Sequence, residues 1–464
     1  MKHWFTLLAI SMITFMNTLD ASIVNVAMPQ LSRQLHVPMN QAEWLVSVYL
    51  VLICILLLFW GRLSDQIGSV RLFQAGSLCF LAGSLMCALS PNFWLLFTGR
   101  IVQAIGASMT MSTNFGLIAK LFPMTEHGRA FGLNSVIAQL GNISGPGLGG
   151  LLLGHLSWHW LFLINLPVGL IIYLYGRRVL PNDRQYLTPS IDWLGFASYA
   201  VTTASFFIAI YWGQAAGFAT PGVLILMAIA LGFLVGFIAI EHRVAQPMIR
   251  LSLFKAPRFS LGLISALMVY AVGYFANVAL PFYFQETLAF SATGAGLLLM
   301  LIPIANMIAA PVSGQFVDRF NPVSVSVIGL IIYAVPVLYL TWLPNPPIFW
   351  QLVLVLMALG VGNGTFQNNP MIMDAAPPEA QGVAGSIAAL FRNLGMAVGL
   401  SLATTTLYWG MQRQAGRPVT HYPQGHPDWF LTGMRYSYWY AVGLIFFALI
   451  LIGGLYWRQR RNET

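Results

Sequence analysis

Phe5-Thr-Leu-Leu-Ala-Ile-Ser-Met-Ile-Thr-Phe-Met-Asn-Thr-Leu-Asp20-Ala-Ser-Ile-Val-Asn25-Val-Ala-Met-Pro29-Gln30 is a long apolar run that holds a single charged side chain. A helix needs about 20 predominantly apolar residues to cross the hydrocarbon core of a bilayer, so this stretch is long enough to span one. A cleaved signal peptide has a short apolar core and a small-residue cleavage site. Asp20 and Asn25 stand inside this run and no such site follows, so it is expected to stay in the protein as its first span.

The rest of the chain repeats the pattern. Of its 464 residues 58% are hydrophobic and only 8% charged, whereas a soluble domain carries about a quarter charged residues. That shortfall excludes a water-soluble globule, and the same figures exclude a disordered chain, which is polar and charge-rich. An all-α polytopic membrane protein remains. Runs broken by Gly, Pro and charge give fourteen segments. Six lie near 5–30, 42–60, 71–90, 93–120, 129–154 and 159–177, and two near 192–212 and 221–242. Six more lie near 259–284, 292–315, 322–342, 348–372, 380–410 and 434–457. Polar linkers from Arg177 to Ser190 and from Glu241 to Pro257 set off the middle pair, so the chain divides as 1–180, 181–256 and 257–464.

An internal echo supports that division. Gly61-Arg-Leu-Ser-Asp65 follows the second segment and Gly314-Gln-Phe-Val-Asp318-Arg319 follows the tenth, which is the second of the last six. One G-x-x-x-D is weak, but its recurrence at equivalent places implies two related six-helix bundles with two helices inserted between them. Paired bundles with a site between them are a transporter architecture.

The formal charge of +9 does not point to nucleic acid, because the basic residues are scattered through the short loops. With the N-terminus inside, sixteen Lys and Arg fall in inside loops and four outside (Arg33, Arg413, Arg417 and Arg435), with Arg100 and Arg392 left within spans. This bias predicts cytoplasmic termini. Cys54, Cys79 and Cys87 all sit in apolar runs and are read as packing residues. No lysine follows a glycine, so no phosphate-binding loop exists in the chain, and neither H-E-x-x-H nor C-x-x-C occurs. An enzyme, an ATP-driven pump and a metal site are therefore not expected, and the energy source left is an ion gradient. His155 and His159 flank one loop and are read as local or interfacial residues, while His421 and His426 sit in the long connector 412–433, read as a solvated connector with a lid over the pathway as the alternative.

Asp20 is the residue with most chemistry. A carboxylate near mid-membrane is expensive unless paired, hydrated or protonated, and such acids are functional by default. The plain alternative is a static ion pair. Arg100 is the natural counter-charge in either case. Arg392, followed by Asn393, has no acid at its depth and is read as binding backbone carbonyls or an anionic group of a lipid or substrate. Gly141, Gly145 and Gly149 recur every fourth residue and form one stripe. Gly150 follows, and Pro146 interrupts the helical hydrogen bonding. The stripe is expected to admit close approach of segment 10, near Gly296 or Ala309–Ala310. Cavity-lining candidates are Asn25, Gln103, Asn134, Gln139, Tyr270, Tyr274, Asn277, Asn363, Gln367, Asn368 and Arg392. Each reads equally well as an interhelical packing or hydrogen-bonding residue.

At these residues a family resemblance becomes plain. Leu19 to Pro29 resembles the first-helix motif of the fourteen-span, EmrB/QacA-like drug:proton antiporters of the major facilitator superfamily. Gly61 to Arg71 resembles the superfamily's loop motif after helix 2, Leu96 to Ser108 its helix 4 motif, and Gly141 to Gly150 the antiporter motif of helix 5. Trp158-His-Trp-Leu-Phe-Leu-Ile-Asn165-Leu-Pro167-Val-Gly169 and Pro247-Met-Ile-Arg-Leu-Ser-Leu-Phe254 are similar to further stretches of that family. The chain departs from the pattern at Gln66, Ser69 and Val70, where basic residues are usual, and at Ala104, where glycine is. The resemblance implies the major facilitator fold with 14 transmembrane helices as 6+2+6. It implies Asp20 as the proton-coupling acid and Arg100 as its partner. Gly141, Gly145, Pro146, Gly149 and Gly150 would shape the gate, and Gly61, Asp65, Arg71, Gly314, Asp318 and Arg319 the inside latches. It also implies proton-driven efflux of small amphipathic drugs, without a cofactor, by a monomer in the bacterial plasma membrane. A lipid or metabolite transporter or flippase of the same fold is the alternative, and a membrane receptor or scaffold has no use for both Asp20 and Arg100.

Overall fold

The computed structural model describes residues 2–122, 127–181, 192–244, 247–249, 251–317, 321–344, 347–366, 371–372, 375–377, 381–417, 419, 422–423 and 425–463. Within them the chain is helical throughout. In hydrocarbon every backbone N–H and C=O must find a partner inside the segment, which a helix does by itself. The first six segments appear as α1 (Lys2–Gln34), α2 (Met39–Ile67), α3 (Ser69–Ala88), α4 (Phe93–Leu121), α5 (His127–His155), and the pair α6 (Trp160–Leu163) and α7 (Asn165–Val179). The middle pair are α8 (Trp193–Ala216) and α9 (Pro221–Glu241). After them come α10 (Pro257–Phe282), which runs into a π turn at Tyr283–Thr287, then α11 (Ala292–Leu299), α12 (Leu301–Val317) and α13 (Pro322–Leu340). The chain closes with α14 (Phe349–Thr365), α15 (Gln381–Ala415) and α16 (Pro427–Glu463). Several starts are capped by a side chain of the preceding residue: Asn92, Asp192, Ser291 and Asn321 each accept from a backbone N–H of the first turn.

Among the described residues twelve helical stretches are long and apolar enough to cross a membrane. The helices outside that set are α4, which carries Arg100 and Gln103, and α14, an apolar helix of 17 residues. Some boundaries differ from the sequence reading. The sixth segment breaks at Ile164 and the tenth at Met300. The twelfth stops at Thr365 rather than near 372. The connector expected at 412–433 shrinks to 416–426, because α15 runs on to Ala415 and α16 begins at Pro427. Proline suits the first turn of a helix and Asp428 beside it suits the positive end.

The helices pack as two similar sets. In the first, α1 pairs with α5, α2 with α4, and α3 with α4 and α7; in the second, α10 pairs with α15, α12 with α14, and α13 with α14 and α16. Between the sets, α2 meets α15 and α5 meets α11 and α12. The middle pair lies at the side of this seam. α8 packs on both α2 and α15, and α9 packs on α8 with only 17% of its most apolar stretch buried, a surface suited to lipid.

Candidate functional site

Asp20 sits midway along α1 and is completely buried. Its carboxylate is met by Arg100 Nη1 at 2.6 Å, by Gln103 Nε2 at 3.1 Å and by Asn165 Nδ2 at 2.8 Å. Every neighbour is a donor, so the acid is surrounded for the role of an acceptor. Arg100 is equally buried and is held on several sides. Its Nε donates to the Leu45 carbonyl at 3.0 Å, Nη1 also reaches Gln103 Oε1 at 2.8 Å, and the guanidinium lies 4.3 Å from the centre of the Tyr49 ring. Nη2 has no hydrogen-bond partner, and the ring face supplies attraction there instead. Ser84 of α3 accepts from Gln103 at 2.8 Å and closes the network. Tyr274 of α10, from the second set, is buried within electrostatic reach of Arg100. The charge pair therefore belongs to the first set but faces the seam.

Arg100 lies where the sequence reading put a counter-charge to Asp20, whereas Gln103, expected to line a cavity, instead bonds to both of them. Asn165 and Ser84 were not foreseen as partners. Asn165 was visible, two residues before Pro167, but nothing local shows that the break between α6 and α7 aims its amide at Asp20.

The other candidates scatter. Asn134 of α5 accepts from Ser11 at 3.1 Å and Thr14 at 3.3 Å of α1, as an interhelical brace would. Asn25 donates at 3.4 Å to the Ala21 carbonyl of its own helix. Gln139 of α5 crosses the seam, donating to Asn306 Oδ1 of α12 at 3.3 Å. Tyr270 and Asn363 are half-buried and Asn277 is exposed. Arg392 is half-buried with its Nε lacking a partner, and Asn393 donates to the Ala389 carbonyl at 2.8 Å. Gln367, Asn368, Asp318 and Arg319 lie outside the described residues, as does the side chain of Asp65. Around Gly61 and Gly314 the space is open, so close packing does not require glycine there, and Arg71 is exposed. Arg62 instead donates to the Pro247 carbonyl, and Glu241 accepts from the backbone N–H groups of Met248 and Ile249. Pro247 is thus tied to the end of α2, and Met248 and Ile249 to the end of α9.

The glycine stripe faces a different neighbour from the one expected. A Cβ on Gly141, Gly145 or Gly149 would strike Thr18, Ser22 or Ile23 of α1, not segment 10. The glycines offset from the stripe meet the second set: Gly150 abuts Ala292 and Gly296 of α11, and Gly147 abuts Met300. Gly296 in turn lies against the Pro146 carbonyl. The 3.6-residue turn explains the split, since Gly150 lies one residue past Gly149 and points about 100° away from it.

Near this contact the two sets are tied together at the end of the bundle away from the chain termini. Thr293 donates to the Gly150 carbonyl at 2.9 Å, and Gln285 to the Val26 carbonyl at 3.0 Å. Arg33 pairs with Glu286 at 3.3 Å beside a cavity of about 270 Å³ lined in part by Ser32, Phe282 and Tyr422.

Two packed helical sets, a buried charge pair midway along α1 and seam contacts at one end are the arrangement of a two-bundle membrane transporter. The chain matches the Major Facilitator Superfamily over residues 10–260 and 262–464, and it belongs to that family. It is 30% identical over 463 residues to the riboflavin transporter RibZ of Clostridioides difficile (strain 630), covering 97% of each chain. It is 33% identical over 399 residues to the uncharacterized transporter YebQ of Escherichia coli (strain K12), with 84% of this chain and 86% of the relative covered. The putative multidrug resistance protein MdtD of Pectobacterium atrosepticum is 30% identical over 393 residues, with 84% of each covered. A crystal structure of a mutant of the peptide transporter POT superposes with a TM-score of 0.67 at 15% identity, covering 96% of this chain and 93% of that one. That likeness concerns the fold. The protein is a multi-pass membrane transporter rather than an enzyme.

Proposed function

We propose that this transporter is a proton-coupled antiporter that exports small amphipathic compounds by alternating access. In this reading fourteen helices cross the bacterial plasma membrane as six, two and six, with domains 1–180, 181–256 and 257–464. Both termini are cytoplasmic, no cofactor takes part and the working unit is a monomer. The observation that carries the reading is the Asp20–Arg100 pair, joined by Gln103 and Asn165 and closed off from solvent. A proton on Asp20 would release Arg100, and the freed guanidinium would be drawn toward other acceptors at the seam. Proton binding and helix rearrangement are then one event. Each proton moving down the membrane potential supplies about 2.3 kcal/mol per 100 mV.

The test uses energised inside-out vesicles given a fluorescent cationic dye or riboflavin in the outer medium, and follows its accumulation in the lumen. Asp20→Asn mimics the protonated form and cannot release it. It is expected to insert normally and to lose uphill transport together with substrate-induced proton movement. Proton-coupled transport at the wild-type rate by Asp20→Asn would falsify the assignment. Riboflavin is included because of the RibZ relative, which favours a second reading: transport of a flat aromatic metabolite. Coupled movement of riboflavin but of none of the dyes would select that reading.

A further inference from the structure

Glu43 is a buried acid that the charge network does not use. It stands at the fifth position of α2 and is 3% exposed, and it faces the seam rather than its own set. Its Oε2 lies 2.6 Å from Thr404 Oγ1 of α15, in the second set, while Oε1 is buried without a hydrogen-bond partner. The described ion pairs are Arg33–Glu286 and Arg100–Asp20, so neither holds it. The titratable side chains that face it are Tyr211 of α8 and Tyr408 of α15. Of the charged groups of α1 and α4, Asp20 and Arg100 are committed to each other and Arg33 to Glu286.

Counting hydrogens locates a proton. Thr404 Oγ1 is 2.8 Å from the Leu400 carbonyl, the usual bond of a threonine within a helix, and 2.6 Å from Glu43 Oε2. One hydroxyl hydrogen cannot serve two acceptors. If Glu43 carries the proton on Oε2, it donates to Thr404, Thr404 donates to Leu400, and both short contacts are bonds. If Glu43 is ionised, one contact has no hydrogen and a charged Oε1 is buried with no donor, which is costly. Opening the seam reverses the balance: water reaches the carboxyl, and the nearby positive end of α2 favours the anion.

We propose that Glu43 is a proton-binding site that latches the two bundles together. Protonated, it bonds across the seam to Thr404 and holds the end away from the termini closed. When that end opens, it gives the proton to water on the same side and the latch is broken. This proton is exchanged rather than carried across, so the latch rests on alternating access and not on proton coupling through Asp20.

The experiment measures opening directly, without substrate or gradient. Nitroxide labels replace the exposed Leu89 and Ile348, one in each set, in protein whose native cysteines are substituted, reconstituted in nanodiscs. The distance between them is followed from acidic to mildly alkaline pH. The wild-type sequence is expected to open as pH rises. Glu43→Gln, whose amide donates to Thr404 as the acid does, is expected to stay closed throughout. Thr404→Val removes the acceptor for the proton, and should move the opening midpoint down by about one pH unit, the tenfold change one lost hydrogen bond commands. A Glu43→Gln protein that opens with the wild-type midpoint, or a wild-type distance that ignores pH, overturns the latch. If Glu43→Gln does not assemble, the Thr404→Val midpoint decides, and no shift there rejects the proposal. Failure of the antiporter reading shows instead as lost proton coupling in vesicles with this titration intact.

Discussion

Asp20, Arg100, Gln103 and Asn165 come from three helices, and each satisfies the others where water cannot. Removing one member of a buried pair leaves the other charged and unpaired, at a cost of about 3–5 kcal/mol. Arg100→Ala is therefore expected to unfold in detergent well below the wild-type temperature. Asp20→Asn combined with Arg100→Gln should recover most of that loss, because no charge is then stranded. A double variant no more stable than Arg100→Ala would show that the two do not act as a pair. Asn165→Ala removes one donor to a charged group, worth about 1.5–3 kcal/mol, and is expected to lower stability less than Arg100→Ala does.

The two faces of α5 have separate tasks. Gly145 lies against Ser22 within the first set, whereas Gly150 lies against Gly296 across the seam. Overpacking costs about 1–3 kcal/mol at either site, but different equilibria bear it. Gly145→Leu is expected to reduce the amount of folded protein and its melting temperature, since it forces α1 from α5. Gly150→Val should melt close to the wild type and transport poorly, since it obstructs only the state in which α5 meets α11. Comparing melting curves with uptake rates checks both, and an equal loss of stability in the two variants would count against the division. Elsewhere the π turn at Tyr283–Thr287 places Gln285 and Glu286 on α1, so a short departure from α geometry builds two of the ties between the sets.

At the scale of the whole molecule the seam is tied at the end away from the termini by Gln285, Thr293, Glu286 and Thr404. A transporter working by alternating access must break these contacts once per cycle. Cysteines at Arg33 and Glu286, bridged by a short bifunctional thiol reagent, are expected to stop transport, and a reducible bridge should restore it on reduction. Transport that continues through the bridged protein would mean that this end need not open. Reporter fusions address orientation: from the excess of Lys and Arg in the loops on the terminal side, fusions at both termini are expected to report cytoplasm and a fusion within residues 416–426 the outside, and a terminus reporting outside would overturn this topology.

By itself the sequence determined that this is an all-helical membrane protein, where most of its spans lie and that Asp20 and Arg100 are charges within spans that need each other. Those properties are local or one-dimensional: an apolar run long enough to span must span, and a lone charge within it needs a counter-charge. Which neighbour each helical face meets was decided only by tertiary structure. Periodicity shows that Gly141, Gly145 and Gly149 share a face, but not that α1 rather than α11 fills it. Glu43 shows the same limit. In the sequence it is an acid near the start of a span, where a charge can reach water without cost. It becomes a buried, half-satisfied carboxyl because α15 and α8 close over α2 from the other side of the seam, in contacts more than 150 residues away along the chain.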